Sequence, residues 1–260
     1  MINMIYNDAF HLDENKDINF LDLSNIHEYC KKYNENIIYQ ISLMDQRFNG
    51  EESLYDWLYT GEYDDEHALL IQLFQEWENV DCLPDSEYQM NIGIITGNEV
   101  VTTVKEYISK RRFILSCAKN WQEFLDILFP CYDGICFSEN VKHSIKKIKN
   151  LDIYAKDIEK DLNVLNDEGK DIFERNKKEP DKAIKELSSK VTECTNDPKH
   201  KNDLFFEFKD DNGNDVEICC QIHTKVHRRN SNIRIYFNWG QPDILHGEKL
   251  LIGHIGKHPY

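Results

Sequence analysis

No two cysteines are spaced as CxxC, no glycine-rich phosphate loop is present, and no Ser/His/Asp set with a defined spacing stands out. The longest apolar runs, residues 91–96 and 250–252 with their flanks, fall far short of the ~20 residues that span a bilayer. No low-complexity tract and no repeat of fixed period interrupts the chain. The first sixteen residues carry Asp8, Asp13 and Glu14 and lack an apolar core, so no secretory signal is expected. These absences argue against a membrane span, a phosphate-loop nucleotidase and a cysteine-clamped zinc module. The expected location is cytoplasmic, with no membrane partner. Eight cysteines are scattered along the chain, and in a reducing compartment they are expected to be free thiols, mostly small core residues.

What is present is length enough for two domains, 260 residues, and a net charge of −16 unevenly spread. Residues 218–260 hold six basic side chains against two acidic ones, a local +4 that leaves −20 for the first 217 residues. Half of the ten histidines sit in the same stretch: His223, His227, His246, His254 and His258. One reading is an anion-binding surface on an acidic body. The plainer one is a solvated acidic protein with a neutral end.

Periodicity predicts an α+β fold: a mixed α/β region over 1–138, a helical connector over 139–198 and an antiparallel sheet domain over 199–260. Residues 37–44 and 91–96 read as strands, and 66–80 as a helix. Residues 99–110 fit either a helix or a strand. Asn120 is a candidate N-cap for a helix over 121–129, with Glu123 in the capping-box position and Pro130 closing it. Residues 141–190 are helical in pattern, with interruptions expected at Gly169 and Pro180. A mobile boundary is expected over 195–202, around Asn-Asp-Pro.

The clearest pattern begins at residue 203. An aromatic-rich strand, 204–209, meets an Asn212-Gly213 turn signal. A long alternation follows. Val216, Ile218, Cys220, Ile222, Thr224 and Val226 take one face; Glu217, Cys219, Gln221, His223, Lys225 and His227 take the other. After Arg228 and Arg229 a second alternation sets Ile233, Ile235, Phe237 and Trp239 against Arg234, Tyr236 and Asn238. If the two strands pair antiparallel and share their apolar face, they also share the polar one. His223 and Lys225 then lie beside Arg234 and Tyr236 on a wet surface. Gly253 and Gly256 in the last apolar strand suggest a bulge or close approach that brings His254, Lys257 and His258 to the same sheet.

Such a surface suits metal-independent cleavage of RNA. That reaction needs a base, an acid and a cation at the phosphate. His223 and His258 are candidates for base and acid, since imidazole titrates near neutrality. Lys225 and Arg234 are candidates for phosphate contact, and Tyr236 for orienting the substrate. His227, Arg228, Arg229, His254 and Lys257 are candidate substrate-binding residues. The plainer alternative is a strand face without chemistry. A zinc site in the run Cys219, Cys220, His223, His227 is disfavoured, because strand positions i and i+4 lie ~13 Å apart. No clean Glu-x-Lys nuclease motif occurs, and no metal or cofactor is called for.

The segment Arg234-Ile235-Tyr236-Phe237, followed by residues 251–258 (Leu-Ile-Gly-His-Ile-Gly-Lys-His), resembles the end of RelE/ParE-like toxins and related proteins of mobile elements. His223-Thr224-Lys225 fits a basic strand of that kind. The resemblance covers 203–260 and implies a small antiparallel sheet that cleaves or holds RNA in growth control or phage defence. Those toxins are short and basic. Here the acidic N-terminal part is expected to serve as inhibitor, sensor or docking region for an antitoxin or other protein. The alternative function is a non-catalytic module that binds protein or nucleic acid in such a system.

Overall fold

A computed structural model describes residues 1–6, 20–48, 52–60, 64–86, 88–94, 100–227 and 231–260. The class is α+β. The chain forms two compact units, Met1–Arg111 and Arg112–Tyr260. Arg228 and Arg229, both singled out above, lie outside the described residues.

The first unit contains β1 (Ile2–Ile5), α1 (Phe20–Lys32), β2 (Ile37–Gln40), the short pair β3 (Arg47–Phe48) and β4 (Glu52–Ser53), α2 (Leu54–Thr60), α3 (Asp65–Glu76), β5 (Glu78–Val80), β6 (Gln89–Ile92) and β7 (Val100–Val101). The helix α4 (Val104–Ser116) follows. Strands β5, β2, β1, β6 and β7 lie in that order and pair parallel throughout. The patterned stretch 66–80, expected as one helix, ends at Glu76. Trp77 is extended (φ −84°, ψ 149°) and β5 follows. Residues 99–110, which fitted helix or strand, contribute both β7 and most of α4.

Beneath this sheet lies a buried polar knot. Arg111, wholly buried, grips both carboxylate oxygens of Glu35, Nη1 to Oε2 at 2.7 Å and Nη2 to Oε1 at 2.6 Å. The Tyr107 hydroxyl sits 2.9 Å from Glu35 Oε2 and 2.9 Å from Asn3 Oδ1. The knot ties α4, through Tyr107 and Arg111, to β1 and to the turn before β2.

The second unit contains the rest of α4, then α5 (Trp121–Leu128), β8 (Ile135–Phe137), α6 (Asn140–Ile145), α7 (Leu151–Arg175), α8 (Pro180–Leu187), β9 (Cys194–Asn196), β10 (Phe205–Lys209), β11 (Asp215–Cys219), β12 (Ile222–Lys225), β13 (Arg234–Asn238) and β14 (Leu250–Gly256). Asn120 caps α5, accepting from the amides of Gln122 (3.0 Å) and Glu123 (3.1 Å). Gly169 does not interrupt α7, which runs 25 residues. A Cβ there would stand 2.5 Å from Leu250 Cδ1, so the glycine allows helix and sheet to approach.

The main sheet has the order β8-β14-β13-β12-β9. It is antiparallel except at β8, which pairs parallel with β14. Two of its five strands therefore come from the chain before residue 199. Residues 194–196, at the expected mobile boundary, form an edge strand on β12. The alternation over 216–227, expected as one strand, is broken at Cys220–Gln221. Its first half, β11, pairs only with β10 in a separate ribbon.

That break has a packing cause. Cys220 turns into a cluster with Leu204, Phe206, Phe208, Tyr236, Ile244 and Leu251, whereas Thr224 faces Asp161 on α7. Positions of like parity thus serve opposite faces of the sheet. The surface expected to be wet is in consequence largely covered: His223, Arg234, Tyr236 and His254 are only 5, 7, 0 and 8% exposed. On the face bearing Tyr236 the cover comes from the β10–β11 ribbon.

Closest approach occurs at Gly253, the extra residue of a bulge opposite Tyr236 and Phe237. A Cβ at 253 would lie 2.3 Å from Phe206 Cδ2 and 3.0 Å from Cys220 Sγ. Gly253→Ala is expected to cost ~1–3 kcal/mol through overpacking, read as a lowered denaturation midpoint. An unchanged midpoint would show that the ribbon is not seated there.

Candidate functional site

Pairing across four strands lines up one lateral row: Thr195 on β9 opposite His223 on β12, His223 opposite Tyr236 on β13, and Tyr236 opposite His254 on β14. Directly opposed residues share a face. The next matching row sets Lys225 opposite Arg234. The shared face read from the alternation is therefore present for His223, Lys225, Arg234 and Tyr236, though buried rather than wet except at the half-buried Lys225. The His223 and Tyr236 rings are 4.8 Å apart. Beyond β14 the chain folds back, and His258 Nδ1 lies 2.6 Å from the Tyr236 hydroxyl, with its ring 6.3 Å from that of His223.

Burial, followed by the nearby Arg234 cation, pushes the His223 imidazole down to about 4. The same two causes lower His258, which is less enclosed. Burial raises the Tyr236 phenol well above its usual range, so the hydroxyl keeps its proton. It can donate to His258 Nδ1 when that ring is neutral and accept from it when the ring is charged. His223 Nε2 lies 3.1 Å from Thr195 Oγ1, while its Nδ1 is buried with no hydrogen bond of good geometry, the Gln221 backbone being its polar neighbour. Arg234 Nε is likewise buried and unpartnered. Two neighbouring strands thus each carry a buried side-chain nitrogen without a well-formed bond on this face. Such groups are rare in folded proteins and call for a ligand or water.

The other candidates are more constrained. Lys225 is paired with Glu193 at 2.9 Å. Arg234 Nη1 donates to the Ser231 and Ile233 carbonyls. His254 donates from Nε2 to the Lys257 carbonyl (2.6 Å) and accepts at Nδ1 from Asn140 (3.1 Å). With both nitrogens used and burial holding its imidazole down to about 4, His254 fastens the backbone rather than offering a free edge. Lys257 itself is exposed. His227 leaves the row altogether. A left-handed backbone (φ +73°) carries it away, and Nδ1 meets Asp157 on α7 at 2.7 Å.

No family model, curated protein or solved structure matches the chain.

Three residues that sequence reasoning passed over complete the cluster. Asp197 follows β9, anchored by its amide to the Gln221 carbonyl at 3.0 Å. Its Oδ1 lies 3.0 Å from His200 Nδ1, and its Oδ2 accepts from the Tyr260 hydroxyl at 2.6 Å. The His200 and Tyr260 rings stack at 3.9 Å, and Tyr260 stands 4.9 Å from His258. A local signal existed: Asp-Pro-x-His places an acidic cap and an imidazole one turn apart. By composition, Asn-Asp-Pro reads instead as a boundary. Among the described residues, no three His, Cys, Asp or Glu side chains converge as a metal site would require.

Proposed function

We propose that the second unit is a metal-independent endoribonuclease. The observation that carries this reading is the convergence of His223, Tyr236 and His258 beside the unpartnered nitrogens of His223 and Arg234. In this reading His223 donates Nε2–H to Thr195 and uses its Nδ1 lone pair to take the proton of a ribose 2′-hydroxyl. The alkoxide attacks the adjacent phosphorus. The bond to the 5′-oxygen breaks, and His258, oriented by Tyr236, gives that oxygen a proton. The products are a 2′,3′-cyclic phosphate and a free 5′-hydroxyl. Arg234 Nε faces the charge that gathers on the phosphate oxygens. The resemblance of residues 203–260 to RelE/ParE-like toxins supports the same class of activity, in a toxin-antitoxin or phage-defence setting. The acidic N-terminal part then suits an antitoxin or another protein partner: residues 1–111 carry 22 acidic against 7 basic side chains.

Cleavage requires His223 without its proton and His258 with one. Activity therefore rises as pH passes His223's value of about 4 and falls as pH passes that of His258, which lies below the usual imidazole 6.5. The full chain, incubated with single-stranded RNA and EDTA, is expected to show a bell-shaped rate with its maximum on the acid side of pH 6.5. Intact RNA at every pH, with and without ribosomes, would overturn the proposal.

A second reading, a non-catalytic binding module, is favoured by one observation. Lys225, Arg234 and His254 are all engaged in internal bonds. On that reading charge reversal at Arg228 and Arg229 weakens binding, and single histidine replacements change little.

A further inference from the structure

On the reading of the His223–Tyr236–His258 cluster as a cleavage site, we infer that Asp197 is its positioning residue, using both carboxylate oxygens to clamp the segment that carries His258. The segment 257–260 follows β14 and is largely exposed, so few packing contacts fix it. Polar links do. Lys257's carbonyl accepts from His254, His258 meets the Tyr236 hydroxyl, and the Tyr260 hydroxyl meets both Tyr236 and Asp197. The bonds to His254 and Tyr236 fix the segment on the sheet beside β13 and β14. The bond to Asp197 reaches across to the chain after β9.

Asp197 is suited to this task for two reasons. Its own place is fixed by a backbone bond to Gln221, immediately before β12. Its second oxygen holds His200, whose ring is the surface on which Tyr260 stacks, with an interplanar angle of 15°. One carboxylate thereby orients a hydrogen bond and a stacking partner for the same tyrosine. Although partial burial opposes ionisation, the bonds from Tyr260 and His200 keep the Asp197 carboxyl below its usual range.

Asp197 also sets the local field. The charged or titrating groups around His258 are Arg234 and Tyr236 on β13, His223 and Lys225 on β12, His254 on β14, Asp197 and His200 after β9, and Tyr260. Those around His223 are Arg234, Tyr236, Asp197 and His258. Asp197 is the one anion in both sets. It opposes the burial and the cations that drive the two imidazoles neutral. Asp197 would thus hold His258 in place and favour the proton it must deliver.

The test compares wild type with Asp197→Asn and Tyr260→Phe as full-length proteins. Asn keeps the shape and an acceptor but not the charge; Phe keeps the stacking ring but not the hydroxyl that meets Asp197 and Tyr236. For Asp197→Asn we expect kcat to fall about tenfold with KM little changed, and the whole bell to move to lower pH. Tyr260→Phe should lower kcat less and leave the charge-dependent limbs near their wild-type positions. Nitrogen NMR of the imidazoles supplies a readout independent of cleavage: His223 and His258 should both titrate lower in Asp197→Asn. Unmoved titrations and an unmoved pH profile would overturn the role of Asp197, even with a lower melting temperature. If wild type cleaves no RNA but the titrations move as stated, the cleavage reading fails and the influence of Asp197 on both imidazoles stands.

Discussion

Replacing His223 by glutamine is expected to slow RNA cleavage by ~10²–10⁴-fold, the contribution typical of a positioned general base. Glutamine retains a polar group toward Thr195 at similar volume, so the row Thr195–His223–Tyr236–His254 need not collapse. What it lacks is a basic nitrogen where His223 Nδ1 stands. His258→Gln is expected to produce a loss of the same order, concentrated in kcat. Tyr236→Phe removes only the hydroxyl 2.6 Å from His258. Its effect should be smaller, since the acid remains but loses its orientation. His246→Ala provides the contrast: that side chain is highly exposed and pairs with Asp211, away from the cluster. It should cleave at the wild-type rate. Cleavage rates of the four variants, alongside their denaturation curves, check the assignment. Equal rates for His223→Gln and His246→Ala would remove His223 from the mechanism.

The second large effect is on stability and belongs to the first unit. Glu35→Ala is expected to destabilise that unit by ~3–5 kcal/mol, because it removes the carboxylate that neutralises a wholly buried guanidinium. The pair itself is not a large net stabiliser, since on folding the guanidinium lost its hydration and the half-buried carboxylate lost part of its own. Breaking it from one side leaves the cost without the compensation. The double variant Glu35→Leu/Arg111→Met should therefore recover most of the loss, with the remainder reflecting what Tyr107 and Asn3 lose. Denaturant unfolding in a Trp121→Phe/Trp239→Phe background, followed by tryptophan fluorescence, reports on this unit through Trp57 and Trp77. A Glu35→Ala transition within error of wild type would mean that Arg111 reaches water or another anion.

Much of the sheet in the second unit was legible because alternation is a local property. His223, Lys225, Arg234 and Tyr236 were assigned one face from parity alone, and the pairing of His223 with Tyr236 and Lys225 with Arg234 follows that assignment. The Gly253 bulge was suggested by its glycine. What parity could not show is which face another element covers. The ribbon of β10 and β11 lies over Tyr236 because the chain turns at Cys220–Gln221, and that turn depends on contacts with Leu204, Phe206 and Leu251, distant in sequence. A surface read as wet thus became a buried cluster, with histidines driven neutral by enclosure.

The same limit explains His227 and Asp197. Alternation put His227 in the row, but a left-handed residue at the strand's end sent it to Asp157 on α7. Asp197 lay in a stretch whose Asn-Asp-Pro composition signals a break. Its edge-strand neighbours gained their role only by pairing with β12, about thirty residues away in sequence. The parallel sheet of the first unit was only partly legible. Its strands are short, and a patterned run such as 66–80 conceals a helix-to-strand change at Trp77 that hydrophobic spacing does not reveal.

The most direct test of the account is an end analysis of the RNA products. The full-length protein is given one oligoribonucleotide with EDTA present, and a matched oligonucleotide in which the ribose before each cut carries no 2′-hydroxyl. The account predicts 2′,3′-cyclic phosphate and 5′-hydroxyl ends from the first and no cleavage of the second. Cleavage of the 2′-deoxy strand, or products bearing 5′-phosphates that disappear with EDTA, would contradict it.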